Sequence, residues 1–177
     1  YHDVRHLAQI LAALARLTDG GPTRPVLLAA WFHDAVHDGE HGTDEERSAA
    51  LAETELDGAG LPASEVAEVA RLVRLTTTHS PEPGDAAGIE LVDADLSILG
   101  QPPGRYHVYA RDVRLEYPGM SDPIFAVGRL QVLDALSSKR PLYRSATGQE
   151  AWTAQASRNL ASERRRWLRL VRSQQVQ

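Results

Sequence analysis

Hydrophobic residues recur along this chain at the spacing of helix faces, and no strand-like alternation extends beyond a few residues. The first stripe joins Leu7, Ile10 and Leu14, and a Gly- and Pro-containing stretch at 18–22 ends it. The next segment, 23–37, is apolar on nearly every side. This pattern predicts a central helix that is buried on most of its faces.

Helix start and stop signals divide the rest of the chain. Thr43 with Glu46 three residues later indicates a capping box, and Pro62 suits the opening of a helix. The helices that we predict are 2–17, 23–37, 43–56, 62–78, 89–99, 103–116, 122–138 and 148–172. We therefore expect an all-α fold, a bundle of about eight helices. The length of 177 residues favours a single domain, 1–177, with a C-terminal helix within 148–177 packed on it.

Composition narrows the chemistry that is available. The absence of cysteine excludes disulfides, thiol nucleophiles and Cys-based metal sites. No apolar run approaches the roughly 20 residues that span a bilayer, so we expect no membrane partner and a cytoplasmic protein. Six arginines lie within 151–177. We interpret them as a solvated helix face and expect no nucleic-acid partner, since no recognition motif accompanies them.

Polar side chains interrupt the apolar segment WFHDAVHD at 31–38. Leaving a buried polar group without a partner costs about 1–3 kcal/mol, so these side chains need partners. His33 and His37 are four residues apart and share a helix face, with Asp34 and Asp38 beside them.

A second polar interruption lies in LVDADLSILG, at 91–100. Leu91, Val92 and Leu99 define an inward stripe that includes Asp95, whereas Asp93 falls about 145° from its centre on an ideal helix. We therefore predict that Asp95 is buried and that Asp93 is exposed.

Three apolar segments thus carry ligand-type groups: His6 beside the first stripe, the His33-Asp34 pair, and Asp95. One divalent cation would satisfy all of them. Two imidazoles and two carboxylates suit Mn, Fe, Co, Ni or Zn, with Mg less favoured. Four protein ligands on an octahedral ion leave positions for water or substrate.

The order H…HD…D of these residues resembles the signature of the HD-domain superfamily of metal-dependent phosphohydrolases, which are all-α. YHDVRH at 1–6, HDAVH at 33–37 and ADLS at 94–97 resemble motifs of cyclic-nucleotide phosphodiesterases, although Asp3 stands where those enzymes have Asn. A bacterial family of predicted metal-dependent HD phosphohydrolases is similar over most of the chain. The stretches concerned are 31–38, 45–49, 78–79, 91–100, 114–117, 128–129 and 158–160.

The resemblance implies roles for individual residues. The ligands of a first metal would be His6, His33, Asp34 and Asp95, with Asp34 able to bridge to a second ion. His2 would act as general acid, and His37 and Asp38 would position water, or His37 would bind the second ion. His79 would reach a second metal or a phosphate. Arg114 and Arg129 interrupt apolar segments and are candidates for binding substrate phosphate.

The function implied is hydrolysis of a nucleotide or another small phosphate ester by attack of metal-activated water, using one or two divalent ions. One alternative is a regulatory HD module that binds metal and ligand without significant turnover. Another is an HD oxygenase with a di-iron site. We also allow for a homodimer.

Overall fold

The computed structural model describes residues 1–174, and in that part all regular structure is helical. The prediction of an all-α fold with about eight helices is confirmed. The described chain has eight α-helices and one short 3₁₀ helix. They are α1 Val4–Leu17, α2 Arg24–Phe32, α3 Thr43–Gly58, α4 Ala63–Leu75, α5 Ala86–Asp95, the 3₁₀ helix Leu96–Gly100, α6 Pro103–Leu115, α7 Asp122–Ser138 and α8 Ala146–Gln174. Among the described residues, no helix is both long and apolar enough to cross a membrane.

Contacts along the chain define two compact units. One comprises His2–Asp95 and holds α1 to α5. The other comprises Tyr1 with the residues from Leu96 onward, and it holds the 3₁₀ helix and α6 to α8. The predicted single domain over 1–177 stays a prediction.

Helix α1 turns a histidine toward the core of its unit. The Asp3 side chain caps the helix by accepting a hydrogen bond from the backbone N–H of Arg5 at 2.8 Å. His6 is buried on the same face as Ile10 and Leu14. The imidazole of His6 therefore lies on the apolar face of the helix.

Helix α2 is shorter and less enclosed than predicted. It ends at Phe32 and not at residue 37, with His33 as its C-cap in right-handed helical conformation. Val26, Ala29 and Ala30 are buried, but Trp31 is 61% exposed. The prediction of burial on most faces is therefore wrong for Trp31, because the small residues Ala29 and Ala30 form the packed face.

The loop between α2 and α3 depends on glycine. Gly39 and Gly42 have φ values of 84° and 85°, a left-handed conformation that residues with a Cβ adopt with strain. Gly42 is the N-cap of α3, and the Glu45 carboxylate accepts a hydrogen bond from its backbone N–H. The predicted capping box of Thr43 with Glu46 is therefore displaced by one residue.

The bounds of helices α4 and α5, and the burial of Asp93, differ from the predictions. Helix α4 ends at Leu75, three residues earlier than expected, and α5 begins at Ala86. Asp93 is 0% exposed, so the prediction that it faces solvent is wrong. Helix α5 packs against α1, α2 and α4. Because neighbouring helices cover several faces of α5, residues outside the predicted inward face, such as Asp93, are buried as well.

In the second unit, α8 packs against the 3₁₀ helix, α6 and α7. A Cβ added to Gly100 would lie 2.3 Å from Cβ of Trp152, so the 3₁₀ helix approaches α8 too closely for a larger residue. Asn159 on α8 donates hydrogen bonds to the carbonyl oxygens of Leu99 and Gln101, both at 2.8 Å. The predicted C-terminal helix within 148–177 is present as α8, and residues 175–177 lie outside the described residues.

Candidate metal centre

The first unit brings together four side chains that are far apart in sequence. His6 projects from α1, His33 and Asp34 follow the last residue of α2, and Asp95 is the last residue of α5. His6 Nε2 lies 3.2 Å from His33 Nε2, 3.3 Å from Asp34 Oδ2 and 3.2 Å from Asp95 Oδ1. His33 Nε2 lies 2.9 Å from Asp34 Oδ2 and 3.9 Å from Asp95 Oδ1. The two imidazole nitrogens and the two carboxylate oxygens therefore surround one point.

The backbone fixes the direction of the His33 lone pair. Nδ1 of His33 lies 2.9 Å from the carbonyl oxygen of Ala30, which can only accept a hydrogen bond. Nδ1 therefore carries the proton, and Nε2 of the neutral ring presents a lone pair toward the other three groups. A backbone partner that sets the tautomer in this way is characteristic of metal-binding histidines.

The Asp34 carboxylate has one oxygen atom whose hydrogen-bonding capacity is not satisfied. Within the described part of the chain, its buried Oδ2 atom has no hydrogen-bond partner of acceptable geometry, although the Nε2 atoms of His33 and His6 lie 2.9 and 3.3 Å away. Buried polar atoms are rarely left in this state. A cation placed among these nitrogens and oxygens would satisfy all of them.

The distances fit a divalent cation. Neighbouring ligands on an octahedral ion with bonds of about 2.1 Å are separated by about 3.0 Å, and tetrahedral ones by about 3.4 Å. Four of the five separations given above lie between 2.9 and 3.3 Å. His6, His33, Asp34 and Asp95 therefore fit an ion of the class that binds mixed nitrogen and oxygen ligands.

The electrostatics of the four residues favour a positive charge at their centre. Burial opposes protonation of His6, but the carboxylates of Asp34 and Asp95 outweigh that effect and raise the pKa of His6 to about 9. Burial likewise opposes ionisation of Asp34, yet the imidazoles of His33 and His6 hold the pKa of Asp34 far below its usual value. Without a cation, protons take its place.

His79 holds the second oxygen of Asp95. Its Nε2 atom lies 2.7 Å from Oδ2 of Asp95, whereas His6 lies 3.2 Å from Oδ1. The residue follows α4 in a turn and has a φ of 48°, which is uncommon for a residue other than glycine. The His79 side chain orients the candidate ligand Asp95. Residues that hydrogen-bond to metal ligands usually have this role.

A second group of ligand-type residues adjoins the first. His2, Asp34 and His37 each offer one atom, and these atoms lie within 4.8 Å of one another. The rings of His2 and His37 lie with their centroids 3.8 Å apart. Because Asp34 also contacts His6 and His33, it belongs to both groups. Its position is compatible with the predicted bridge between two ions.

The Asp38 side chain pairs with a surface residue and not with the candidate ligands. Its side chain is 61% exposed and pairs with Arg47 at 2.5 Å. Its backbone N–H, by contrast, donates a hydrogen bond to Asp44. The predicted positioning of water by Asp38 would require the side chain to leave Arg47.

Two residues that the sequence reasoning did not identify fix the segment after the His-Asp pair. Asp44 is buried, and its Oδ2 atom accepts hydrogen bonds from the backbone N–H groups of Asp38, Gly39 and Glu40 at 2.8 to 2.9 Å. Ser48 exchanges hydrogen bonds with the backbone of Val36. The sequence held two weak signals: the 45–49 stretch of the resemblance, which includes Ser48, and the acidic start of α3 at 44–46, which favourable charge at a helix N-terminus explains equally well.

Arg114 and Arg129, the predicted phosphate ligands, lie in the second unit and are engaged with protein groups. Arg114 bonds to the Asp122 carboxylate at 2.7 Å and to two backbone carbonyl oxygens. Arg129 is buried and donates through Nε to Glu163 at 2.8 Å. Their role toward a substrate stays a prediction.

A cleft opens beside three of the four candidate ligands, His6, His33 and Asp34. It has a volume of about 120 Å³. It lies against the first two turns of α1 and the end of α2. Its lining residues are His2, Asp3, Val4, His6, Leu7, Ala30, Trp31, His33 and Asp34.

Comparisons with known proteins give no relative for this chain: no family model matches it, and searches of curated proteins and of solved structures return no match.

Proposed function

We propose that this chain is a metal-dependent phosphohydrolase that acts on a nucleotide or another small phosphate ester. The observation that carries the proposal is the convergence of four side chains, two imidazoles and two carboxylates, with one imidazole lone pair fixed toward their centre. The resemblance of the same four residues to the signature of the HD superfamily also supports it. The ligands in the proposal are His6, His33, Asp34 and Asp95.

A divalent ion held there would supply Lewis acidity, which polarises a phosphoryl oxygen and makes water a better nucleophile at neutral pH. The protein's contribution is orientation. The carbonyl of Ala30 fixes the His33 ring, and His79 fixes the Asp95 carboxylate. With both ligands fixed in this way, little reorganisation is needed when the site is loaded.

The charge of the cleft makes the ion necessary for binding as well as for chemistry. Among the residues that the structure describes, those lining the cleft include Asp3 and Asp34 but neither lysine nor arginine. The Asp34 carboxylate faces His33 and His6, and the Asp3 carboxylate is paired with Arg5, so the metal-free cleft offers a phosphate no excess of positive charge. We therefore expect phosphate esters to bind the metal-loaded protein and not the metal-free protein.

In this proposal, His2 protonates the leaving group. It lines the cleft, and its ring is tilted by 34° against that of His37, outside the four candidate ligands. An imidazole nitrogen of His2 would hold the proton that the leaving oxygen takes as its bond to phosphorus breaks. General acid catalysis of this kind contributes about 10² to 10⁴ in rate.

The general acid role predicts a dependence on the leaving group. His2→Gln should reduce kcat by about 10² or more for an alkyl ester, whose leaving alkoxide needs a proton. The same variant should lose much less with a p-nitrophenyl ester, because nitrophenolate leaves unprotonated. Equal losses with both esters at unchanged metal content would refute the general acid role.

The proposed function is tested by comparing Asp34→Asn and Asp95→Asn with the wild type. Each protein is dialysed against Mn²⁺ and assayed for bound metal, then for hydrolysis of p-nitrophenyl phosphate, its bis ester and a nucleotide panel. We expect both variants to lose bound Mn²⁺ and turnover together, while Asp134→Asn, on the exposed side of α7, retains both.

Two outcomes would go against the proposal. Full turnover in either variant would reject the assigned ligands. Tight binding of Mn²⁺ and nucleotide by the wild type, with no product from any ester, would support the regulatory module in place of a hydrolase.

A further inference from the structure

A large aromatic side chain lies exposed on the cleft. Trp31 is 61% exposed, whereas the other two tryptophans, Trp152 and Trp167, are each 4% exposed. Trp31 lines the same cleft as His6, His33 and Asp34. It precedes Asp34 by three residues, and His33 between them keeps helical dihedral angles, so Trp31 and Asp34 share a helix face.

Folding of α2 does not explain this tryptophan. The helix packs through Val26, Ala29 and Ala30, which are fully or almost fully buried. An exposed indole adds little to that packing and leaves a large apolar surface in water. Val4, from α1, is 78% exposed and lines the cleft as well. Two helices therefore each place an exposed apolar side chain beside the candidate ligands.

The size of the cleft indicates which part of a substrate would meet Trp31. Sites that enclose a whole drug-sized ligand have volumes of about 300–1,000 Å³. The present cleft, at about 120 Å³, has room for a phosphate group beside the candidate ligands but not for an entire nucleotide. The remainder of the substrate must extend past the cleft mouth, where Trp31 and Val4 are exposed.

We propose that Trp31 is a specificity-determining residue that stacks on the aromatic base of a nucleotide whose phosphate lies at the candidate metal centre. This inference rests on the proposed function, since it places the phosphate at that centre. A base presents two flat faces, and an indole that is free on one face can stack on either purines or pyrimidines. Trp31 would therefore favour base-bearing phosphates without strong selection among bases.

The test compares two ligands that differ at C1 of the ribose, where adenosine 5′-monophosphate carries the base and ribose 5-phosphate carries a hydroxyl. Each is titrated into the full chain loaded with Mn²⁺, and Kd is measured by calorimetry, or KM where the ester is turned over. We expect the wild type to bind the nucleotide at least about tenfold more tightly, as one stacked base would provide.

Substitutions at Trp31 should remove that preference selectively. Trp31→Ala should bring adenosine 5′-monophosphate to the affinity of ribose 5-phosphate, leave ribose 5-phosphate unchanged, and leave Mn²⁺ binding unchanged. Trp31→Phe should keep part of the preference, and Trp31→Leu, which is apolar without a π face, should lose it. Leu115→Ala removes an equally exposed apolar side chain that does not line the cleft, and it should have no effect.

Fluorescence provides a direct contact readout, because Trp31 is the only exposed tryptophan of the three. Adenosine 5′-monophosphate should quench the exposed component of the emission in the wild type, and ribose 5-phosphate should not. Trp31→Ala should lack that component.

The outcomes separate this inference from the proposed function. Equal affinities for the two ligands in the wild type, or equal losses for both in Trp31→Ala, would overturn the role of Trp31 even if esters are hydrolysed. A preference that disappears in Trp31→Ala, with no ester turned over, would uphold the role of Trp31 and reject the hydrolase. A preference retained by Trp31→Leu would show a general apolar contact and overturn base stacking.

Discussion

At the scale of single residues, the candidate centre depends on what lies behind each ligand. The Nε2 atom of His33 is available because Nδ1 donates to the carbonyl of Ala30, and Asp95 is held from behind by His79. Ligand types were predictable from the sequence, since two histidines and two aspartates interrupt apolar segments. The resemblance also implied His79, but its contact with Asp95 and the carbonyl of Ala30 behind His33 were not predictable, because neither contact has a signal in the sequence pattern.

The contact between His79 and Asp95 leads to a prediction about metal affinity. His79→Gln should weaken Mn²⁺ binding by about 10- to 100-fold, as loss of a partner behind a metal ligand commonly does. Metal titration by calorimetry measures this. His41→Gln is the matched control, since His41 is an exposed histidine bound only to Glu45 among the contacts described for it. An unchanged affinity in His79→Gln would show that His79 does not support the centre.

Protonation of His6 predicts how the stability of the metal-free protein depends on pH. The pKa of His6 is raised to about 9 in the folded chain, above the value of about 6.5 expected when unfolded. The folded state therefore binds this proton more tightly. The resulting stability is fully present below pH 6.5 and is lost as the pH rises from 6.5 through 9.

This dependence is measured by urea unfolding of protein treated with EDTA, at pH values from 6 to 9.5. The free energy of unfolding should fall across that range by up to about 3 kcal/mol, the equivalent of the pKa difference. His6→Gln should show a smaller decline. A wild-type stability that is constant from pH 6.5 to 9 would contradict the assigned protonation.

At the scale of helices, apolar periodicity located the elements better than it located their ends and faces. Stop signals in the sequence placed α3, α6 and α7 within two residues of their observed bounds. Helix α2 ended five residues early because the segment after Phe32 is held by Ser48 and Asp44, on α3, and not by its own helical hydrogen bonds. Tertiary partners of this kind cannot be read from local spacing.

The buried pair between α7 and α8 predicts a large effect on stability. Glu163 accepts hydrogen bonds from Arg129, Tyr106 and Trp167, and both members of the ion pair are buried. Glu163→Gln leaves the Arg129 charge buried without its counterion, which should lower the free energy of unfolding by about 3–5 kcal/mol.

The same two helices offer a matched control. Arg164 and Asp134 form an exposed pair between α8 and α7, and Asp134→Asn should leave stability unchanged within error. Chemical denaturation of both variants makes the comparison. Equal, small effects would show that the buried pair contributes no more than the surface pair.

At the scale of the whole chain, composition and periodicity were sufficient for the all-α class, since helices need only local spacing and caps. The assembly of the centre was not predictable from spacing alone, because α1, α2 and α5 meet through long-range packing. The wrong prediction that Asp93 is exposed has the same origin. Its burial is decided by three neighbouring helices that lie elsewhere in the sequence.

We propose that His6, His33, Asp34 and Asp95 together bind a divalent cation, and the metal content of the purified full chain measures this binding. Mass spectrometry of metals, after dialysis against Mn²⁺, Fe²⁺, Co²⁺, Ni²⁺, Zn²⁺ or Mg²⁺ in turn, should find at least one tightly held ion per wild-type chain. The double variant His33→Ala with Asp95→Asn should hold none above the buffer. A folded wild-type protein that retains no ion under any of these conditions, or as much as the double variant, would contradict the account.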